Sequence, residues 1–169
     1  MKKVFFSALG MIGFAISSNA QATATATATA TIVTPISITK TADMNFGNVA
    51  VQAGTGGTVI LAPAGTRTTG GAGGVTLPAT TGTVAAAAFT VNGNGNYTYA
   101  ITLPGTVTLT RASGSETMDA DNFTSTPSGT GTLSSGTQNL TVGATLNVGA
   151  GQVAGVYTSG NFNVTVNYN

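Results

Sequence analysis

From Ala22 to Thr31 the chain alternates strictly between alanine and threonine, and the alternation runs on through Ile32 and Val33 until Pro35 interrupts it. A two-residue period is the period of a β-strand, whose side chains point to opposite faces in turn. Ala22, Ala24, Ala26, Ala28, Ala30 and Ile32 therefore share one face, and Thr23, Thr25, Thr27, Thr29, Thr31 and Val33 the other. At about 3.3 Å per residue the stretch reaches roughly 40 Å. A terminal strand of this kind can be lent to a neighbouring subunit's sheet, or it can pair at home as the first strand of its own sandwich. Even then a long edge with few charges is a template for association.

What precedes the alternation has the three parts of a secretory signal: Lys2 and Lys3, an apolar stretch from Val4 to Ile16, and a small-residue exit at Ser18-Asn19-Ala20. Cleavage is expected after Ala20, with Ala22 as the alternative. The apolar run is too short to span a membrane as a helix. Export to the cell surface or the extracellular space of a Gram-negative bacterium is expected, by way of the periplasm. The expected organisation is a signal over 1–20, an Ala/Thr strand over 21–34 and a single β domain over 35–169.

Loss of residues 1–20 removes two lysines and takes the formal charge from +1 to −1. A near-neutral chain offers no electrostatic case for nucleic acid or an anionic bilayer. Charged residues make up only 5% of the sequence, so little repulsion opposes close packing of one copy on another. Cysteine is absent, and stability must come from the core, from strand pairing or from assembly.

The same period recurs further on. Ala87, Phe89 and Val91 alternate with polar or small residues, as do Tyr97, Tyr99, Ile101 and Leu103. Asn92-Gly93-Asn94-Gly95-Asn96 lies between them and predicts a β-hairpin. Met44 and Phe46 share one parity and Val49 and Val51 the other, which predicts a β-bulge at Gly47. Further strands are expected over 58–61, 106–111, 116–123, 139–142, 145–148 and 161–169. Loops rich in Gly, Thr and Ser are expected to be exposed over 62–74 and 124–136. No stretch after Ile16 has helical periodicity. The expected fold is all-β, an antiparallel β-sandwich, with a closed barrel as the alternative.

Chemistry is poorly provided for. With no His and no Cys, the commonest general base, metal ligands and thiol nucleophile are missing. The acids are Asp43, Glu116, Asp119 and Asp121, and their spacing marks no carboxylate pair for sugar hydrolysis. Glu116, Asp119, Asp121 and Asn122 form an oxygen cluster that calcium could use. A polar strand end is the preferred explanation, because the ligand spacing of an EF-hand loop is missing. Asn-X-Thr triplets at Asn96, Asn122, Asn139 and Asn163 are assigned no role. Tyr97, Tyr99, Tyr157 and Tyr168 are expected on strand faces rather than stacked on sugars, and Arg67 and Arg111 as isolated surface charges. No enzymatic activity, metal or cofactor is expected.

Four stretches resemble the DUF4402 family of exported bacterial proteins: ATATATIVTPISI; Met44-Asn45-Phe46-Gly47-Asn48-Val49; Val142-Gly143-Ala144-Thr145-Leu146; and Gly155-Val156-Tyr157 followed by Asn161-Phe162-Asn163-Val164-Thr165-Val166-Asn167-Tyr168. More distantly, the chain resembles the pilin and spore-coat-U-like subunits of bacterial surface fibres. That resemblance implies an incomplete immunoglobulin-like Greek-key sandwich whose missing strand is supplied by the N-terminal extension of the next subunit. The donated residues would be Ala22, Ala24, Ala26, Ala28, Ala30 and Ile32, received alongside Phe162, Val164, Val166 and Tyr168. Tyr168 matches the penultimate aromatic of such subunits, while Gly155 falls one place from their usual glycine. The implied partners are other copies of the chain or related fibre subunits, with a periplasmic chaperone and an outer-membrane usher. Because each buried methyl contributes only about 0.8 kcal/mol, an alanine face leaves affinity to backbone hydrogen bonds. A two-residue slip of the repeat restores the same pattern, so Ile32 and Pro35 must set the register. The alternative function is a monomeric secreted sandwich that binds a glycan or a surface protein.

Overall fold

The computed structural model describes residues 20–169, so the expected signal segment lies outside the described residues but for Ala20. The chain divides between Ile32 and Val33. Residues 20–36 belong to no strand, and every residue from Ala20 to Ile32 is exposed. The expected first strand is therefore an unpaired arm. Alternating Ala and Thr permit a strand, but their small side chains bury too little apolar surface to hold one without a partner.

Val33–Asn169 is all-β, with no helix among the described residues. Its strands are β1 (Ser37–Ala42), β2 (Asn45–Phe46), β3 (Ala50–Val51), β4 (Gly57–Leu61), β5 (Arg67–Gly70), β6 (Val75–Thr76), β7 (Val84–Ala85) and β8 (Ala87–Asn92). There follow β9 (Thr98–Thr102), β10 (Val107–Arg111), β11 (Thr117–Thr126), β12 (Thr130–Thr132), β13 (Thr137–Val148), β14 (Tyr157–Ser159) and β15 (Thr165–Tyr168). All pairings are antiparallel. The main sheet runs β1-β8-β13-β11-β10-β14, with β4 and β5 also joined to it through β13. A second sheet runs β12-β9-β15, and β2–β7 and β3–β6 form short separate ladders. The main path ends at β1 and β14 without closing, which makes this a sandwich and not a barrel.

The spine is β13. Its first half pairs with β8 and its second half with β4 along one edge, while β11 runs along the other. Leu140, Val142, Ala144, Leu146 and Val148 all lie on one face and are all buried. Leu140 and Val142 enter one core with Val91, Tyr99 and Leu133; Ala144, Leu146 and Val148 enter another with Val59, Leu61 and Val75. The strands expected over 139–142 and 145–148 are one strand, and Gly143 does not interrupt it. It sits mid-strand, where a Cβ would lie 2.1 Å from the Leu61 carbonyl oxygen, so a glycine is required by close approach of backbone.

The expected hairpin does not form. β8 pairs with β1 and β13, and β9 with β12 and β15, so Gly93–Tyr97 carries the chain from one sheet to the other. Apart from Tyr97, which is exposed just ahead of β9, both runs do turn their apolar residues inward, which is what alternation reports; it cannot say which strand lies alongside. The parity change near Gly47 is a turn and not a bulge. Gly47 has φ of 68°, its N–H donates to Asn45 Oδ1 at 2.8 Å, and the chain leaves the β2–β7 ladder there for β3–β6. A bulge lies instead in β11. The register shifts between Asp121 and Thr124, Asn122 has φ of 47°, and the inward parity passes from Met118 and Ala120 to Phe123 and Ser125. The stretches 62–74 and 124–136 are not simple loops, since they contain β5 and β12, and Leu133 just after β12 is fully buried.

Candidate functional site

A long cleft with a volume of about 1280 Å³, lined by apolar and polar residues together, opens in the β domain. One wall is formed by β1 and the Met44–Val51 segment, and the other by residues 152–164, which cross from the main sheet to the second sheet. Its floor is built by Phe89, Leu109, Met118 and Phe123 from the main sheet, with Phe162 and Val164 beside them. All six are only half-buried. The bulge at Asn122 brings Phe123 to the inner face, where its ring lies 5.5 Å from that of Phe162 and bridges the two sheets.

Lys40 and Asp43 are the charged residues on this lining, and they pair with each other at 2.6 Å. The cleft thus has an apolar floor, a rim that includes Asn45, Asn48, Gln152 and Asn161, and no net charge. Beside it, among the described residues, β1 hydrogen-bonds to β8 alone, and its other edge carries backbone groups with no strand on them. Such an edge can accept a further strand.

The wall at Met44–Val51 is held by Arg67. Its guanidinium donates to the carbonyls of Phe46 at 2.5 Å, Asn48 at 2.7 Å and Thr81 at 3.3 Å. Arg67 is therefore not the isolated charge expected, and neither is Arg111, whose Nε donates to Glu116 Oε2 at 2.6 Å and Nη2 to Oε1 at 3.3 Å. That partnership holds the Glu116 carboxyl below its ordinary value. Asp119 accepts from Thr108 Oγ1 and Asp121 from Asn122 Nδ2. The oxygen cluster is thus a hairpin ion pair followed by a bulge, and no group of three His, Cys, Asp or Glu among the described residues could hold a metal.

The four residues expected to receive a strand separate in two. Phe162 and Val164 line the cleft. Val166 and Tyr168 do not; they lie in β15 opposite Ile101 and Tyr99, and Val166 is buried in the core. Tyr168 has a different task. Its hydroxyl donates to the Thr34 carbonyl at 2.8 Å and accepts from the Asn94 N–H at 2.6 Å, and its ring lies 5.6 Å from that of Tyr97. The expected donor residues Ala22, Ala24, Ala26, Ala28, Ala30 and Ile32 are exposed in the arm, Ile32 to 93%. Tyr99 is fully buried, its hydroxyl donates to Gln138 Oε1 at 2.8 Å, and burial pushes its pKa up.

Sequence reasoning missed most of the cleft lining. Phe89, Leu109 and Met118 read as ordinary inward strand residues, and nothing in their spacing separates a covered face from an open one. The bulge had a usable signal, an Asn between two runs of opposite parity in Met118–Ser125.

The model of the domain of unknown function DUF4402 matches residues 36–168, from the residue before β1 to the last residue of β15. The chain belongs to the DUF4402 family. The match begins just after Pro35 and leaves the alternating arm outside it, so in this DUF4402 chain the arm precedes the family domain. Comparison with curated proteins and with solved structures returned no match.

Proposed function

We propose that this DUF4402 chain is a non-catalytic structural subunit of a bacterial cell-surface or extracellular fibre, exported and assembled by strand exchange. One observation carries the proposal: the chain holds both an uncharged, exposed, alternating arm and a cleft with an apolar floor bordered by the unpaired edge of β1. An arm from the next subunit would add backbone hydrogen bonds to that edge and cover half-buried side chains, Phe123 and Phe162 among them. The neutral lining suits an uncharged occupant, and Gln21 to Thr34 contains no charged residue. In this picture the domain is an immunoglobulin-like sandwich short of one strand, as in pilins. The scarcity of acid–base and nucleophilic side chains supports a structural role over a catalytic one.

The test is light scattering after size exclusion, with negative-stain microscopy, on the chain lacking its signal. Ladders or filaments are expected, and removal of Gln21 to Thr34 should leave a folded monomer. Filaments that persist after that deletion would overturn strand exchange. A monomer at all concentrations that binds glycans with or without the arm would favour a monomeric binding module.

A further inference from the structure

The arm joins its domain at Thr34, and the hydrogen bonds there go to the far end of the chain. Tyr168, 134 residues on, donates its hydroxyl proton to the Thr34 carbonyl and receives the Asn94 N–H on the same oxygen. The site is shaped for this oxygen: a Cβ on Gly93 would lie 2.2 Å from it, so a glycine at that place lets the hydroxyl in. Tyr168 thereby ties together the arm's root, the crossing between the sheets and β15.

The position of that tie matters because only Thr34, Pro35 and Ile36 separate Val33 from Ser37, the first residue of β1. For the arm to pair with the open edge of its own β1, the chain would have to reverse within those residues. Tight hairpins that match strand twist need positive φ at their central residues. Proline cannot adopt it, and the β-branched Thr34 and Ile36 adopt it only under strain. Ile36 is also packed against the core with Tyr99 and Val166. A looser reversal would have to move the Thr34 carbonyl off Tyr168.

We infer that the Tyr168 hydroxyl is a clasp that prevents the arm from closing onto its own cleft and so keeps it available to a second copy of the chain. This rests on the strand-exchange reading above and adds a positioning residue to it. Tyr168 needs no contact with the incoming strand.

The test uses the full signal-free chain carrying Thr27→Cys labelled with a diazirine, mixed with unlabelled, ¹⁵N-enriched chain, photolysed and mapped by mass spectrometry. With the heavy chain in large excess, arm-to-cleft crosslinks in the parent are expected mainly between light and heavy chains. Tyr168→Phe keeps the ring on Tyr97 and loses both hydrogen bonds. It should raise the ratio of intrachain to interchain crosslinks by about tenfold, the factor that one net hydrogen bond of ~1.4 kcal/mol supplies. Four glycines inserted between Val33 and Thr34 leave Tyr168 untouched but relieve the short connection, and should raise the ratio as well. An unchanged ratio in Tyr168→Phe, with interchain crosslinks intact and whether or not the insertion raises it, would overturn the clasp and leave strand exchange standing. Absence of arm-to-cleft crosslinks in every variant would overturn both.

Discussion

Two regions of the sandwich are built on the same strand and finished differently. Where the first half of β13 lies against β8, the second sheet covers it, and Val91, Tyr99, Leu133, Leu140 and Val142 have no exposed surface. Along β10 and the start of β11 there is no such cover, and Leu109, Met118 and Phe123 remain half-buried over the cleft. Composition does not explain the difference, since both regions offer alternating apolar residues. Coverage does: β9, β12 and β15 form a roof of three paired strands, whereas the cleft wall at Met44–Val51 rests on two-residue ladders and one arginine. An apolar strand face is stable in water when something lies over it. The open region is the part of this fold that still has surface to bury.

The strongest way to break the comparison is to break the strand that both regions share. Gly143→Val would drive a side chain into the Leu61 carbonyl and part β13 from β4. The expected cost exceeds ~4 kcal/mol, enough to abolish cooperative unfolding in a urea titration. Retention of a native midpoint would mean that the two halves are not held together there.

Next in size is a matched pair. Leu140→Ala, in the covered core, should cost about 2–5 kcal/mol, while Leu109→Ala over the cleft should cost roughly 1 kcal/mol, because its side chain is only partly removed from water. Under the strand-exchange proposal, the Leu109 variant should lose more in assembled protein than in the armless monomer, since a seated strand would complete its burial. Equal costs in the monomer would remove the distinction between the two regions.

Arg67→Met tests the wall. Three carbonyls lose their charged donor, and about 2–3 kcal/mol of local stability should go with it. Amide exchange should quicken first around Phe46–Asn48 and Thr81, ahead of any change near Leu140. A uniform change across the domain would show that the wall is not a separate unit.

The all-β class, the inward residues of most strands and the exceptional character of the arm were legible because each depends on a two-residue period, which is local. Pairing was not, because Ala87–Asn92 and Thr98–Thr102 have the pattern of a hairpin yet sit in different sheets. Glycine was ambiguous for a physical reason. Gly47 supplies a positive φ in a turn, whereas Gly143 supplies missing bulk in a central strand, and the letter is the same. Of the cleft, Phe162 and Val164 were found from the C-terminal alternation. Phe123 depends on a bulge, and Leu109 and Met118 on the lack of a roof, which no local pattern encodes. Tyr168 was singled out for its place near the chain's end, but its partners Thr34 and Asn94 are far away in sequence and could not be read from it.

The smallest expected effect lies at the edge of the open region. Arg111 and Glu116 close the β10–β11 hairpin, and the Arg111 stem lies against Gly155 in the segment that walls the cleft, where an added Cβ would sit 2.9 Å from Arg111 Cδ. The hydrogen bond from Arg111 lowers the pKa of Glu116 in the folded chain from its ordinary value of 4.5. A carboxylate with a lowered folded pKa contributes stability above its unfolded pKa and loses it as pH falls through the folded one. Parent protein should therefore melt slightly above Glu116→Gln at pH 7, and the difference should vanish in acid once the pH is below the lowered folded value, where both side chains are neutral. Both groups are only partly buried, so the shift should be small and should shrink with added salt. A difference that persisted unchanged into acid would mean that Glu116 supports the hairpin by packing and not by charge, and the cleft's outer edge would then owe nothing to this ion pair.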